Sequence, residues 1–247
     1  MLKKTFILFS FFLSLLFLGG NLLAENKGNL SYGAETNFAS RYVWVGIPLS
    51  DGPVLQPSAW VSLNKVTLRT RGNLVLIEET NEGQFNEVDF FLDSTHEWRQ
   101  ISFNPWLGFF FFPNQDVSPT SFAGLTVSYP ISIIRIFTSH VADLIAHPGM
   151  YFGEVGISYD RNWGSQLSFK SSTSIGWGSP LFNEVMVGPS RSALNAHLVA
   201  ASLTWKPQKY LFVRPYAGLS VILDSGLRRE LDDPTILLGG LAMGVEL

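Results

Sequence analysis

Apolar and polar residues alternate with a period of two along most of the chain after residue 25. Leu30, Tyr32 and Ala34, for example, are separated by Ser31 and Gly33. Such a pattern puts successive side chains on opposite faces of a β-strand, one face apolar and the other polar. Several alternating segments run for ten or more residues, whereas strands in soluble proteins usually have ~5–6. The pattern predicts an all-β, antiparallel fold.

The connections between these segments alternate between short and long. Outer-membrane barrels have short periplasmic turns and longer external loops, so this rhythm predicts an up-and-down transmembrane β-barrel of about 12 strands. An even number of strands puts both ends of the chain on the periplasmic side. The short connections are expected at residues 64–65, 97–99, 129–130, 161–164 and 206–209, and the long ones at residues 48–53, 78–84, 113–119, 141–149, 178–192 and 224–234.

Composition supports a membrane protein and excludes several classes of site. Charged residues make up 15% of the chain and aromatic residues 14%, whereas an average soluble domain has ~25% charged residues. The chain has no cysteine, which excludes a disulfide framework, a thiolate metal site and a lipid anchor on cysteine. A net charge of −3 argues against nucleic acid as a partner. We therefore expect no cofactor and no metal.

The first 24 residues are typical of a secretory signal peptide. Lys3 and Lys4 precede an apolar run from Phe6 to Leu18, which is followed by Gly19, Gly20 and a small-residue stop near Ala24. The run is shorter than the ~20 apolar residues that a membrane-spanning helix needs. We expect residues 1–24 to be removed after export and residues 25–247 to form one outer-membrane barrel. Its expected partners are outer-membrane lipid and, during biogenesis, the barrel-assembly machinery.

Residues 40–57, with the sequence SRYVWVGIPLSDGPVLQP, resemble the first hairpin of a family of exported bacterial proteins of unknown function, which are described as outer-membrane β-barrels. That hairpin reads roughly Ser-x-Tyr-x-Trp-Arg-Gly, followed by Ser-Asp-Gly and Gln-Pro. Here Val45 stands where the family commonly has arginine. The segment from Gly149 to Ser158 is similar as well. The resemblance implies a barrel in the outer membrane and supplies no activity.

The first long loop has two interpretations. Gly46 permits a tight bend, while Pro48 and Pro53 end the strand ladder on either side of the turn pair Asp51-Gly52. The favoured interpretation is a structural corner between two strands. The alternative is a loop that folds inward and constricts the lumen.

Charged residues on the polar face of the strands are the candidate site. A charge that faces lipid at mid-membrane costs roughly 2–4 kcal/mol for Arg or Lys, so we expect these residues to face the lumen. Two arginines of one strand and two acids of the next are placed to pair across the ladder. Three roles are open for these charges. Opposite charges on facing walls would form a polarising constriction for small solutes, whereas charges bridged together would plug the lumen. The third role is structural, with salt bridges that fill the interior of a narrow barrel. The candidates are Glu35, Arg69, Arg71, Glu87, Asp89, Asp93, Glu154, Lys170, His197 and Arg214.

Three functions compete at this point. The leading hypothesis is a narrow passive pore for small polar solutes, and the alternative is a non-conducting barrel with a structural role or a role in surface interactions. The third and remote hypothesis is a lipid-modifying enzyme, since His197 and nearby serines are residue types that a catalytic triad uses. No histidine has a serine two residues later, so we expect no enzyme. A periplasmic sandwich or lipocalin-like cup is the soluble alternative.

Overall fold

The computed structural model describes residues 29–77 and 82–247, so the predicted signal peptide lies outside the described residues. Alternating segments of the sequence form long strands joined by turns and loops. The strands are β1 (Leu30–Ala39), β2 (Val43–Trp44), β3 (Ile47–Pro48), β4 (Val54–Leu63), β5 (Val66–Val75), β6 (Phe85–Ser94), β7 (His96–Trp98), β8 (Ile101–Phe111), β9 (Thr120–Ile131), β10 (Ile134–Asp143), β11 (Tyr151–Trp163), β12 (Leu167–Gly178), β13 (Ala193–Gln208), β14 (Leu211–Ile222) and β15 (Thr235–Glu246), and the helices are α1 (Pro180–Met186) and α2 (Ser225–Glu230).

The sheet closes on itself through two pairings. β1 pairs with β15, with Gly33 opposite Glu246, and β6 pairs with β8, with Val88 opposite Phe111. β6 and β7 follow one another with only Thr95 between them, and both pair with β8, so they form one strand of the wall. β2 and β3 pair only with each other, as a small separate hairpin. The chain is a closed, antiparallel, twelve-stranded β-barrel.

Connections alternate between short and long as the sequence predicts, but four of the five short turns begin two or three residues later than expected. They lie at 99–100, 132–133, 164–166 and 209–210. Two-residue turns at 64–65, 99–100 and 132–133 begin with residues of positive φ, namely Asn64, Arg99 and Ser132. The third turn was expected at 129–130 and was placed too early. Pro130 lies inside β9, opposite Arg135 of β10. β8 pairs with β9 only as far as Ser128. Pro130 is tolerated in β9 because on the side of β8 the strand is unpaired at this position and needs no N–H donor.

Side chains alternate between the two faces of the wall. The outward face carries large apolar side chains that are exposed, such as Leu68 at 52% and Leu237 at 79%. The inward face carries most of the charged residues of the strands. In the described part of the chain, neither helix is long and apolar enough to cross a membrane.

The apolar core of the molecule lies inside the barrel, at the end that carries the long loops. Ile47, from the β2–β3 hairpin, is 2% exposed and belongs to a cluster with Phe110, Phe122, Phe152 and Phe182. The favoured prediction for the first loop, a corner between two strands, is therefore wrong. The loop folds inward because its side chains are apolar and the lumen offers them aromatic partners away from water.

Candidate functional site

The β2–β3 hairpin closes the lumen at the long-loop end, and we call it the plug (residues 43–48). The ring of Trp44 lies 5.3 Å from that of Phe122 on β9 and 6.1 Å from that of Phe182 in α1, measured between centroids. Ser179 caps α1 by accepting a hydrogen bond from the Phe182 N–H, which holds this short helix over the lumen. Barrel strands and loops thus both contribute rings to the seal.

The tip of the plug is held against β13 and β14. The Gly46 carbonyl accepts a 2.8 Å hydrogen bond from the Ser220 hydroxyl of β14. Gly46 has φ of +93°, and a Cβ there would lie 2.4 Å from Cβ of Ala196. Val45 also has a positive φ, 43°, a strained conformation for a β-branched residue. Only glycine fits at position 46, because the turn needs a left-handed residue pressed against β13.

A charged network ties the base of the plug to the wall. Tyr42, immediately before the plug, donates a 2.7 Å hydrogen bond from its hydroxyl to Glu87. Arg71 donates to both carboxylates of β6, to Glu87 at 3.1 Å and to Asp89 at 2.6 Å, and to the Tyr42 hydroxyl at 3.0 Å. Asp89 is only 1% exposed. One guanidinium therefore pairs with two buried carboxylates and orients a residue of the loop.

Below the plug, towards the short turns, lies a polar cavity of about 520 Å³. Glu35 accepts a 2.6 Å hydrogen bond from Arg214 across its wall. Arg69 also lines the cavity, with its guanidinium 5.3 Å from the centre of the Trp60 ring. Asp93 lines the same space. No ion pair joins Arg69 or Asp93 to another of the residues that the structure describes.

A second cavity of about 400 Å³ lies against β11 to β14. Lys170 and Asp160 lie directly opposite each other on β12 and β11, and both line it. Tyr216 lines this cavity as well as the first, so the two cavities share a wall. Glu154 lies nearer the plug and accepts a 2.8 Å hydrogen bond from Ser174. The interior is therefore polar over its lower part and apolar at the plug.

One predicted lumen residue lies on the other face. His197 pairs with Ile175, an exposed residue of the outward face, and is hydrogen-bonded at 2.8 Å to Thr173. A bulge in β13 explains the error, because the register with β12 shifts between Ile175 and Trp177. At the bulge two consecutive residues, Asn195 and Ala196, are both buried. Strict alternation from Asn195 would put His197 on the inward face, but the extra residue turns it outward.

Sequence reasoning missed the aromatic rings that lie flat on the inner wall. Each covers a glycine of a neighbouring strand, since a Cβ on Gly124 would lie 2.1 Å from the Trp106 ring and one on Gly240 would lie 2.2 Å from Tyr216. Trp60 covers Gly33 in the same way. Inward-facing glycines in the alternating pattern were the signal that could have revealed these pairs.

Comparison with known proteins finds similar chains among solved structures. No protein-family model matches the chain, and no curated protein matches it. Among solved structures it is similar to the KdgM porin in complex with disordered oligogalacturonate, with 8% identity and a TM-score of 0.49 over 87% of this chain and 97% of that one. The chain is also similar to the NanC porin, with 10% identity and a TM-score of 0.49 over 87% of this chain and 98% of that one. A third similar structure is the translocator domain of the autotransporter NalP from Neisseria meningitidis, with 8% identity and a TM-score of 0.47 over 99% of this chain and 97% of that one.

Proposed function

We propose that this protein is an outer-membrane pore for small polar solutes, closed at its long-loop end by the plug. The observation that carries the proposal is the contrast inside the barrel. The lower lumen is a charged cavity of about 520 Å³, and the plug, packed against α1 and aromatic rings of the wall, separates it from the long-loop end.

The outward face supports a position in the membrane. Exposed apolar side chains occur on every part of the wall, including Leu68 on β5, Val155 on β11, Leu203 on β13 and Met243 on β15. A soluble protein rarely exposes so large a continuous apolar surface. In a bilayer the same side chains contact acyl chains, and closure of the sheet leaves no unpaired strand edge in the lipid.

Attachment of the plug favours a gate over a permanent stopper. The plug interrupts no pairing of the wall, because β2 and β3 pair only with each other. Polar contacts at its base and tip come from Tyr42 and from Gly46. Moving the plug would therefore break a few hydrogen bonds and one apolar contact surface while the twelve strands stay paired.

Single-channel recording in planar bilayers tests the proposal. We expect the intact protein to open rarely, and the double variant Trp44→Ser, Ile47→Ser to open often, because both substitutions weaken the apolar seal. The matched control is Leu49→Ser, in the same loop but on an exposed residue. Neutralising Arg69 should change the size of the open steps, since this side chain lines the cavity.

The alternative is a barrel that conducts nothing and acts through its loops. The packed aromatic seal is the observation that favours it. If the double variant folds, migrates as a heat-modifiable barrel and still gives no openings, the pore is excluded and this alternative stands.

A further inference from the structure

The lower lumen carries a constellation that the pore proposal does not use, and our inference deepens that proposal and rests on it. We propose that the cavity below the plug is a binding site for an uncharged saccharide, with Trp106 as the platform for the sugar ring. The volume of about 520 Å³ lies within the ~300–1,000 Å³ of small-ligand sites.

Flat aromatic faces are the first support. Trp106 and Tyr216 each lie against a glycine of the neighbouring strand, so one ring face is covered by backbone and the other is turned to the lumen. Both side chains line the cavity. The face of an aromatic ring is electron-rich, and it attracts the weakly positive C–H groups on the flat side of a pyranose ring.

Oriented amides are the second support. Asn37 donates through Nδ2 to Gln56 Oε1 at 3.1 Å, and Gln56 donates through Nε2 to Asn73 Oδ1 at 2.9 Å. Asn73 in turn donates to Asn86 at 2.7 Å. This chain fixes which end of each amide donates. Asn37 and Gln56 both line the cavity. Asn37 is also hydrogen-bonded to Tyr216, so we assign the second N–H of Gln56 as the donor to a ring hydroxyl.

Charge balance selects against charged solutes. Arg214 pairs with Glu35, and Arg71 pairs with Glu87 and Asp89, which do not line the cavity. That leaves Arg69 and Asp93, of opposite sign, facing the cavity with no ion pair to another described residue. A guanidinium and a carboxylate both hydrogen-bond hydroxyl groups well. A solute with net charge would meet one favourable and one unfavourable partner, whereas a neutral polyol would satisfy both.

The site also touches the plug. Trp106 and Phe91 line the cavity and pack against the apolar cluster of the plug, and their rings meet edge to face at 6.0 Å between centroids. A sugar on Trp106 would therefore lie directly beneath the residues that the plug covers.

Saturation-transfer difference NMR on the refolded barrel in detergent tests the site without requiring conductance. The probes are maltose, its carboxylated counterpart maltobionate, and the zwitterion glycylglycine. We expect maltose to bind at millimolar concentration, with transfer strongest to its ring C–H protons, and the other two probes to bind more weakly. Trp106→Leu should weaken maltose binding by roughly three- to tenfold, because it keeps an apolar side chain but removes the π face.

The matched control is Trp177→Leu. Trp177 also covers a glycine, Gly153, but it lies near the long-loop end and does not line this cavity, so maltose affinity should not change. The site is overturned if maltose gives no transfer, if Trp106→Leu binds as tightly as the parent, or if maltobionate or glycylglycine binds more tightly. A protein that conducts but fails this test loses only the saccharide site. One that binds maltose but never conducts loses only the pore.

Discussion

Arg71 is the residue on which the interior charge balance depends. It is 27% exposed as a side chain, while the Asp89 carboxylate that it holds at 2.6 Å is 1% exposed. Removing one partner from a buried ion pair leaves an uncompensated charge away from water. The network also orients Tyr42, so its loss would reach the plug.

We expect Arg71→Met to lower the free energy of unfolding by about 3 kcal/mol, because two carboxylates lose the one cation that pairs with them among the described residues. Arg69→Met, on the same strand and face, should lower it by at most about 1 kcal/mol, since it removes only a cation–π contact with Trp60. Urea unfolding in lipid vesicles, followed by tryptophan fluorescence, measures both. Equal losses for the two variants would contradict the network described here.

At this scale the sequence predicted the face of the barrel wall on which most of the candidate residues lie. Alternation in β1, β5 and β6 was sufficient to turn Glu35, Arg69, Asp89 and Asp93 inward. It failed for His197, where a bulge adds a residue to β13. A bulge leaves no mark in a pattern of alternating polarity, because the extra residue shifts the face without changing the composition.

At the scale of elements, the strands and turns could be predicted from the sequence, whereas the plug could not. Strands and turns follow from local pattern, and the alternation of short turns with long loops predicted the barrel. The plug does not follow, because its position depends on rings from β8, β9, β11 and α1 that are far away in the sequence. An inward loop was only the alternative interpretation, because nothing in residues 43–48 indicates which distant side chains they meet.

The fit of Gly46 against β13 gives a test of the plug. Gly46→Ala adds a Cβ that would meet the Cβ of Ala196 at 2.4 Å, so we expect the plug to be displaced and channel openings to become more frequent. Gly188→Ala is the control, because Gly188 also has a positive φ, +123°, but no atom within 4 Å of the added carbon. Bilayer recordings that show the same open probability for both variants would contradict a seated plug.

A pH dependence of the loop between β14 and β15 is expected from Asp224. Hydrogen bonds from the backbone N–H groups of Leu227 and Gly226, with Arg191 nearby, lower the pKa of this carboxyl below its usual value. A carboxyl with a lowered folded-state pKa stabilises the fold above its unfolded value, near ~3.9, and that contribution is lost as the pH falls through the folded value.

We therefore expect the amides of Gly226 and Leu227 to lose protection from hydrogen exchange as the pH falls below about 4. Asp224→Asn keeps a capping oxygen but cannot titrate, so its protection should not depend on pH over the same range once intrinsic exchange rates are removed. An equal loss of protection in the parent and in Asp224→Asn would show that another group controls the loop.

For the whole molecule, the sequence predicted the number of strands and the sense of each face, because closure of a barrel is the simplest way to pair every edge of so long a sheet. It did not predict a lumen divided between an apolar seal and a polar chamber. That division arises from which inward side chains meet across the barrel, and contacts of this kind join residues as distant as Gly46 and Ser220.

The account depends on the outward face touching lipid while the inward face meets water. Because the chain has no cysteine, single cysteines at Ser202, which lines the second cavity, and at its exposed neighbour Leu203 can carry spin labels without background. Power-saturation EPR in liposomes should show the label at 203 relaxed by oxygen and the label at 202 relaxed by a water-soluble nickel chelate. Nickel access at both positions, or oxygen preference at both, would contradict a lipid-embedded barrel with a polar interior.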